Sequence, residues 1–206
     1  GRLSAHLIAV VAEDRRGRLY VSPTDEHSDA AHVERPADVP NQLIPTRNHD
    51  VDRLPMYGMP TWADAFTNRQ LVALTTFSDL VGEMHKRVLS DALASGLNEG
   101  ESLEAGGTGA RAYADAIATY LALSVSRLSD RSSSICSWDS SRESMRNVFS
   151  RQAIPMVWDF AEANPFSHSS GNFLGQVEWI AGVVERLPAD SAGNARQLSA
   201  AARDYT

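Results

Sequence analysis

Apolar residues recur every three or four positions in three segments of the chain, which is the spacing of one face of an α-helix. The spacing predicts long helices over about Asn68–Ala94 and about Ala110–Asp130, and a third from Phe173 to Leu187, just before Pro188. The first two segments carry matching apolar stripes, and the second is rich in alanine. We therefore expect these two helices to pack closely together in antiparallel orientation.

Capping-box patterns indicate where two helices begin. Thr67 and Gln70 stand three residues apart at the start of the first long helix, so that each side chain can bond a backbone amide of the first turn. Ser140 and Glu143 have the same spacing. They predict a short helix that ends at Pro155.

The N-terminal region has the pattern of a β-hairpin. Leu7–Val11 is an apolar run, residues 13–18 form a charged turn that contains Gly17, and Leu19–Val21 is a second short apolar run. Because the first run is almost continuously apolar, we expect its strand to be covered on both faces.

Five prolines between Pro36 and Pro60 exclude a helix and a central strand from that segment. The segment also holds apolar residues that can fix it to a surface, namely Leu43, Ile44, Leu54, Met56, Tyr57 and Met59. We therefore expect an ordered loop that wraps around the fold.

Together these elements predict an α+β fold dominated by helices. The expected parts are a β-hairpin plus short helix over 1–35, the proline-rich wrapping loop over 36–66, a helical, bundle-like region over 67–188, and a C-terminal tail over 189–206. A flexible linker is expected at 95–109, which contains five glycines. The first residue is Gly1 rather than methionine, and we expect the chain to be part of a longer protein.

Composition narrows the class of protein. The net charge of −7 argues against a protein whose whole surface binds nucleic acid, although a local basic face stays open. Of the 19 basic residues 18 are arginines. GC-rich codons explain this bias, but arginine is also well suited to bidentate phosphate contacts. Cys136 is the only cysteine, which excludes a disulfide framework and indicates the cytoplasm. No apolar run reaches about 18 residues, so we expect no membrane span.

Residues 47–53 form the densest polar cluster of the sequence. A metal site there would use His49, Asp50 and Asp52, but neighbouring residues rarely converge on one ion without further ligands. A phosphate site would use Arg47 and Arg53 as charge-assisted donors. A third interpretation is structural, in which these side chains hold the loop through turn-type hydrogen bonds and ion pairs.

A second basic cluster lies between residues 127 and 151, where five arginines face three acidic residues, a local excess of two positive charges in an acidic chain. Its arginines are Arg127, Arg131, Arg142, Arg146 and Arg151. On the predicted short helix, Arg142 and Arg146 would share one face. We expect Arg142, Arg146 and Arg151, with Arg47 and Arg53, to form a phosphate-facing surface. A merely solvated helix surface is the alternative.

Asn164-Pro165-Phe166 is comparable with the Asp/Asn-Pro-Pro-Tyr/Phe tetrapeptide of amino-methyltransferases, whose aromatic ring stacks on the extruded base. This sequence has one proline instead of two. A base-binding role for Asn164 and Phe166 is therefore one hypothesis, and a turn with a buried Phe166 is the other. No P-loop, GxGxxG or GxSxG motif occurs, and we find no complete active site.

Longer strings of residues carry a more specific signal. They are Leu43–Asp50, Leu54–Trp62, Phe66–Leu71, Ser137–Asp139, Arg146–Glu162 and Asn164–Ser167. With these strings the chain resembles the middle region of a family of large bacterial proteins described as adenine-specific DNA methylases, some of them linked to anti-phage defence. The resemblance extends from the hairpin to about Leu187.

The resemblance implies transfer of a methyl group from S-adenosylmethionine to the N6 amine of adenine in DNA. In the family the cofactor loop lies upstream of this region and the Asp-Pro-Pro-Tyr motif lies downstream. The resemblance therefore implies no catalytic residue and no cofactor or metal site in this chain. It implies an internal segment that supports the catalytic fold or positions DNA. Its partners would be DNA and the remainder of the methylase chain. A non-enzymatic module for protein interaction or assembly is the alternative.

Overall fold

The computed structural model describes residues 5–15, 17–45, 53–149 and 153–188. Its elements are β1 (Val10–Asp14), β2 (Gly17–Val21), α1 (Asp25–Ala31), 3₁₀ helices at Leu54–Tyr57 and Trp62–Ala65, α2 (Asn68–Ala94), α3 (Ala110–Ser129), β3 (Trp138–Asp139), β4 (Ser144–Met145) and α4 (Phe173–Val184). The predicted fold class is confirmed, because helices dominate and a β-hairpin lies at the N-terminal end. None of the helices in these ranges is both long and apolar enough to cross a membrane.

The N-terminal hairpin pairs β1 with β2 antiparallel, with Val10 opposite Val21. Two expectations about it are wrong. The first strand begins at Val10 rather than Leu7, and it is not covered on both faces, since Val11 is exposed and so are Leu19 and Tyr20, at 51% and 50%. Within the described residues the ribbon has only two strands, so no neighbouring strand covers it.

The two long helices pack against each other as their apolar stripes predict. Helix α2 begins and ends at the predicted residues, and α3 ends one residue early, at Ser129. The start of α3 meets the end of α2, where the Ala110 amide donates to the Asn98 carbonyl at 2.8 Å. Beyond the other end of α3, the Ser134 amide donates to the Ala65 carbonyl just before α2, so the pair is antiparallel. Helix α4 packs against α3.

The connection between α2 and α3 is hydrogen bonded along its length. Asp115 holds it to both helices, since one carboxylate oxygen lies 2.7 Å from His85 Nε2 and the other accepts from the Leu103 amide at 2.9 Å. A β-carbon built on Gly107 would lie 2.2 Å from the Glu101 carbonyl oxygen, so the two stretches of backbone are in close contact. The flexibility expected of this linker stays a prediction.

One apolar core cluster lies outside the α-helices. Its buried members are Ile44, Leu54, Ala65, Ile135, Cys136, Met145 and Val148, and partly buried residues pack around them. Ile44 and Leu54 belong to the proline-rich loop, whereas Leu43 and Met56 from the same loop are exposed. Burial raises the pKa of the Cys136 thiol, which favours an uncharged, unreactive side chain.

The prediction of a short helix after Ser140 is wrong. Residues 138–145 form the β3–β4 hairpin instead, with Trp138 opposite Met145 and Asp139 opposite Ser144. Glu143 has a φ of +47°, which a right-handed helix cannot contain. The turn is closed by Asp139, whose carboxylate accepts from the Ser141 and Arg142 amides and so replaces the helix start that the spacing predicts.

Candidate nucleic-acid interface

Asp139 organises the hairpin that carries two of the predicted DNA-contacting arginines. The Ser141 hydroxyl donates to its carboxylate at 2.6 Å, and Arg146 donates through Nε at 3.2 Å and lies 3.1 Å away through a terminal nitrogen. These interactions, the Ser141 hydroxyl first and then the Ser141 amide and Arg146, lower the pKa of Asp139 to about 2. Asp139 is therefore ionised throughout the physiological range and fixes the Arg146 guanidinium.

Arg142 and Arg146 do not share a helix face, because no helix forms there. Arg142 lies exposed in the hairpin turn, and its guanidinium makes no ion pair with the described residues. The Arg146 side chain is 61% exposed while it bonds Asp139. With Asp139 and Glu143 close by in the same hairpin, the local formal charges sum to zero, so the hairpin by itself is not a basic face.

Arg53 is exposed immediately before the first 3₁₀ helix. It precedes buried Leu54, and Arg146 follows buried Met145 in the same core cluster, so both arginines extend from one core.

Arg47 and Arg151 lie outside the described residues, as do His49, Asp50 and Asp52 of the possible metal site. Within the described ranges, no group of three or more acidic, histidine or cysteine side chains is arranged to hold a metal ion.

Asn164-Pro165-Phe166 forms a turn, but the alternative in which Phe166 is buried in that turn is wrong, since this residue is 81% exposed. The Asn164 side-chain oxygen accepts from the Phe166 amide at 2.9 Å. The Pro165 carbonyl accepts from the Phe173 amide at 2.9 Å. Base binding would need these two acceptors for the target amine, and this geometry turns both towards the chain's own backbone. The Phe166 ring packs at a tilt against the Phe77 ring, with ring centroids 5.8 Å apart.

The segment after this turn, residues 167–171, brings distant arginines together. Arg18 of β2 donates to the Ser169 hydroxyl at 2.6 Å, and the Met145 amide donates to the Ser170 hydroxyl at 2.9 Å, so the backbone just before Arg146 lies beside the segment. Gly171 lies against Arg131, because a β-carbon built there would be 3.6 Å from Arg131 Cβ. We call Arg18, Arg131, Arg146 and residues 167–171 the serine-loop surface.

Sequence reasoning missed Arg18 and the serine segment. Arg18 lies 113 positions before Arg131, and no local pattern links the two. The signal that could have identified the segment is its composition, three serines and a histidine before Gly171.

A pair of aromatic rings, one half-buried and one exposed, lies elsewhere on the core. Tyr57 and Trp158 meet edge to face, with ring centroids 5.6 Å apart. Both belong to strings that carry the methylase resemblance.

Comparison of the chain with known protein families, with curated proteins and with solved structures gives no match.

Proposed function

We propose that this chain is an internal segment of a bacterial, SAM-dependent methyltransferase that modifies adenine N6 in DNA, in some relatives as part of anti-phage defence. Its role would be to support the catalytic fold and position DNA, in the cytoplasm where the DNA is. One observation supports this most strongly. The strings that carry the resemblance are dispersed between residues 43 and 167, yet they contribute Ile44, Leu54, Trp62, Trp138 and Met156 to one apolar cluster.

The chemistry of methyl transfer would come from flanking parts of the longer protein. A SAM site requires a glycine-bearing loop between a strand and a helix. Here Gly106, Gly107 and Gly109 connect two helices, and both described sheets are two-stranded antiparallel ribbons. The described residues therefore do not fit SAM, and no catalytic role is assigned to any of them.

A second candidate, an assembly module, is favoured by the exposed apolar surface. Large side chains that are mostly exposed include Leu43, Met56, Phe149, Trp158, Phe166, Leu174 and Trp179. Isolated exposed apolar residues are ordinary, but this many large ones suit a segment that other protein covers. The two candidate functions agree when the protein that covers this surface is the remainder of the methylase chain.

The experiment is methyl transfer by the longer protein. We expect labelled SAM to give N6-methyladenine in duplex DNA, identified by mass spectrometry of the digested nucleosides. Leu54→Ala should reduce the yield by weakening the core, and Met56→Ala, at an exposed position two residues on, is the matched control. Methyl groups only on cytosine, or none on DNA, would refute the proposed function.

A further inference from the structure

The serine-loop surface presents hydrogen-bond donors with few acceptors to match them. The Ser169 hydroxyl accepts from Arg18, and the Ser170 hydroxyl accepts from the Met145 amide. Among the described residues, neither hydroxyl donates a hydrogen bond in return. Because a serine hydroxyl carries one donor as well as its acceptor sites, both O–H groups are left to donate to something else.

The guanidinium groups of Arg18 and Arg146 add further donors to this surface. Each has five N–H groups in a fixed plane. Arg146 directs Nε and one terminal nitrogen to a single oxygen of Asp139, and Arg18 directs one terminal nitrogen to Ser169. Donors of both side chains therefore remain free while their positions are already fixed, which lowers the entropy lost when a ligand binds.

The carboxylates near this surface differ in exposure. Asp130 and Asp139 have side chains only 14% and 8% exposed, and each accepts from backbone amides. Glu13 is the exception, since it is exposed and lies 3.7 Å from Arg18. Glu143, in the hairpin turn three residues before Arg146, is partly exposed as well. Two carboxylates near this surface are therefore largely buried against backbone amides, and Glu13 and Glu143 are the ones closer to solvent.

We propose that the serine-loop surface binds the phosphate backbone of DNA through the Ser169 and Ser170 hydroxyls and the Arg18 guanidinium, with Arg146 contacting the same backbone. A phosphate diester offers only acceptors and a negative charge, so it is the complementary ligand for hydroxyl and guanidinium donors of this kind. The inference rests on the proposed function, because it names the surface through which the segment positions DNA. Contacts to phosphate carry no base sequence, so this surface sets the register of DNA and not its specificity.

The test is fluorescence anisotropy of a labelled DNA duplex titrated with the 206-residue chain, over a series of salt concentrations. Arg18→Gln and Arg146→Gln should each raise the Kd about tenfold, the loss of one charge-assisted hydrogen bond. Each should also reduce the magnitude of the negative slope of log K against log salt by about one, equally for unrelated sequences. Ser169→Ala should weaken binding without changing that slope, because it removes no charge.

Two further variants control for damage to the fold. Glu13→Gln should tighten binding, because it removes the exposed negative charge beside Arg18. Arg111→Gln should have no effect. Arg111 is ion-paired like Arg146, with a side chain 53% exposed against 61% for Arg146, but it lies in the first turn of α3, about 30 Å away at the other end of that helix. Thermal unfolding of each variant verifies that it is folded.

The proposal is overturned if the chain does not bind DNA at low salt, or if Arg111→Gln weakens binding as much as Arg146→Gln. It is also overturned if millimolar inorganic phosphate displaces the duplex, because the site would then be one for free phosphate. The measurement uses neither SAM nor methyl transfer. A longer protein without methyltransferase activity would therefore refute the proposed function without contradicting the DNA-binding result.

Discussion

Asp139 shows at the scale of one residue why the sequence between 138 and 146 does not become a helix. Its carboxylate accepts from Ser141 and Arg142 on one side of the turn and from Arg146 on the other. Side chains of this type compete with the helix for backbone amides. The basic character of Arg142 and Arg146 could be predicted from sequence, but their placement could not, because it depends on this competing bond.

We predict that Asp139→Asn lowers the thermal midpoint and that the loss depends on pH. The pKa of Asp139 is held at about 2, below the value of about 3.9 for an unfolded aspartate. The folded state therefore gains stability from the ionised form above about pH 4 and loses it as the pH falls towards 2. The difference between wild type and variant should be constant from pH 7 to about 5 and shrink below 4. A difference that is unchanged at pH 2.5 would contradict this, and Asp79→Asn, exposed on α2, serves as the control.

At the scale of elements, α2 was predictable because its signals are local. Thr67 accepts from the Gln70 amide and Gln70 accepts from the Thr67 amide, as the capping box requires. The apolar repeat then continues without interruption to Ala94. The Ser140 spacing has the same local form but leads to a hairpin, because pairing of Ser144 and Met145 with an earlier strand is not visible in a short window of sequence.

The glycines test whether the linker between α2 and α3 is closely packed. Gly107→Ala should destabilise the fold, because its β-carbon would lie 2.2 Å from backbone oxygen of Glu101. Gly82→Ala, within α2 and with nothing near its β-carbon, should stabilise by about 0.5–1 kcal/mol through helix propensity. Chemical denaturation measures both. Equal, small effects of the two substitutions would mean that the linker is as free as its glycine content indicates.

At the scale of the whole molecule, the core joins segments that lie far apart in the chain. The apolar residues of the proline-rich loop were identified from sequence as its anchors, and Ile44 and Leu54 serve that role. Which of the candidates would be buried could not be predicted, since Leu43 and Met56 are equally apolar and exposed. The contact of Arg18 with Ser169 has the same origin, because it joins residues that are distant in sequence.

Leu54 and Met56 form a matched pair for the stability of this core. Leu54 is 1% exposed and Met56 is 67% exposed. Leu54→Ala should lower the free energy of unfolding by about 2–5 kcal/mol, since it leaves a cavity in the cluster. Met56→Ala should change it by less than about 0.5 kcal/mol. Similar losses in the two variants would show that the cluster does not hold the loop.

We propose that this segment supports a DNA adenine methyltransferase without supplying its active site. The most direct measurement is calorimetric titration of the chain with SAM, with methyl transfer to adenine-containing DNA followed in parallel. We predict no SAM binding and no transfer by the 206 residues, and N6-methylation when the flanking sequence is present. Stoichiometric SAM binding that Asn164→Ala abolishes would contradict the claim, because it would make the Asn164 turn part of an active site.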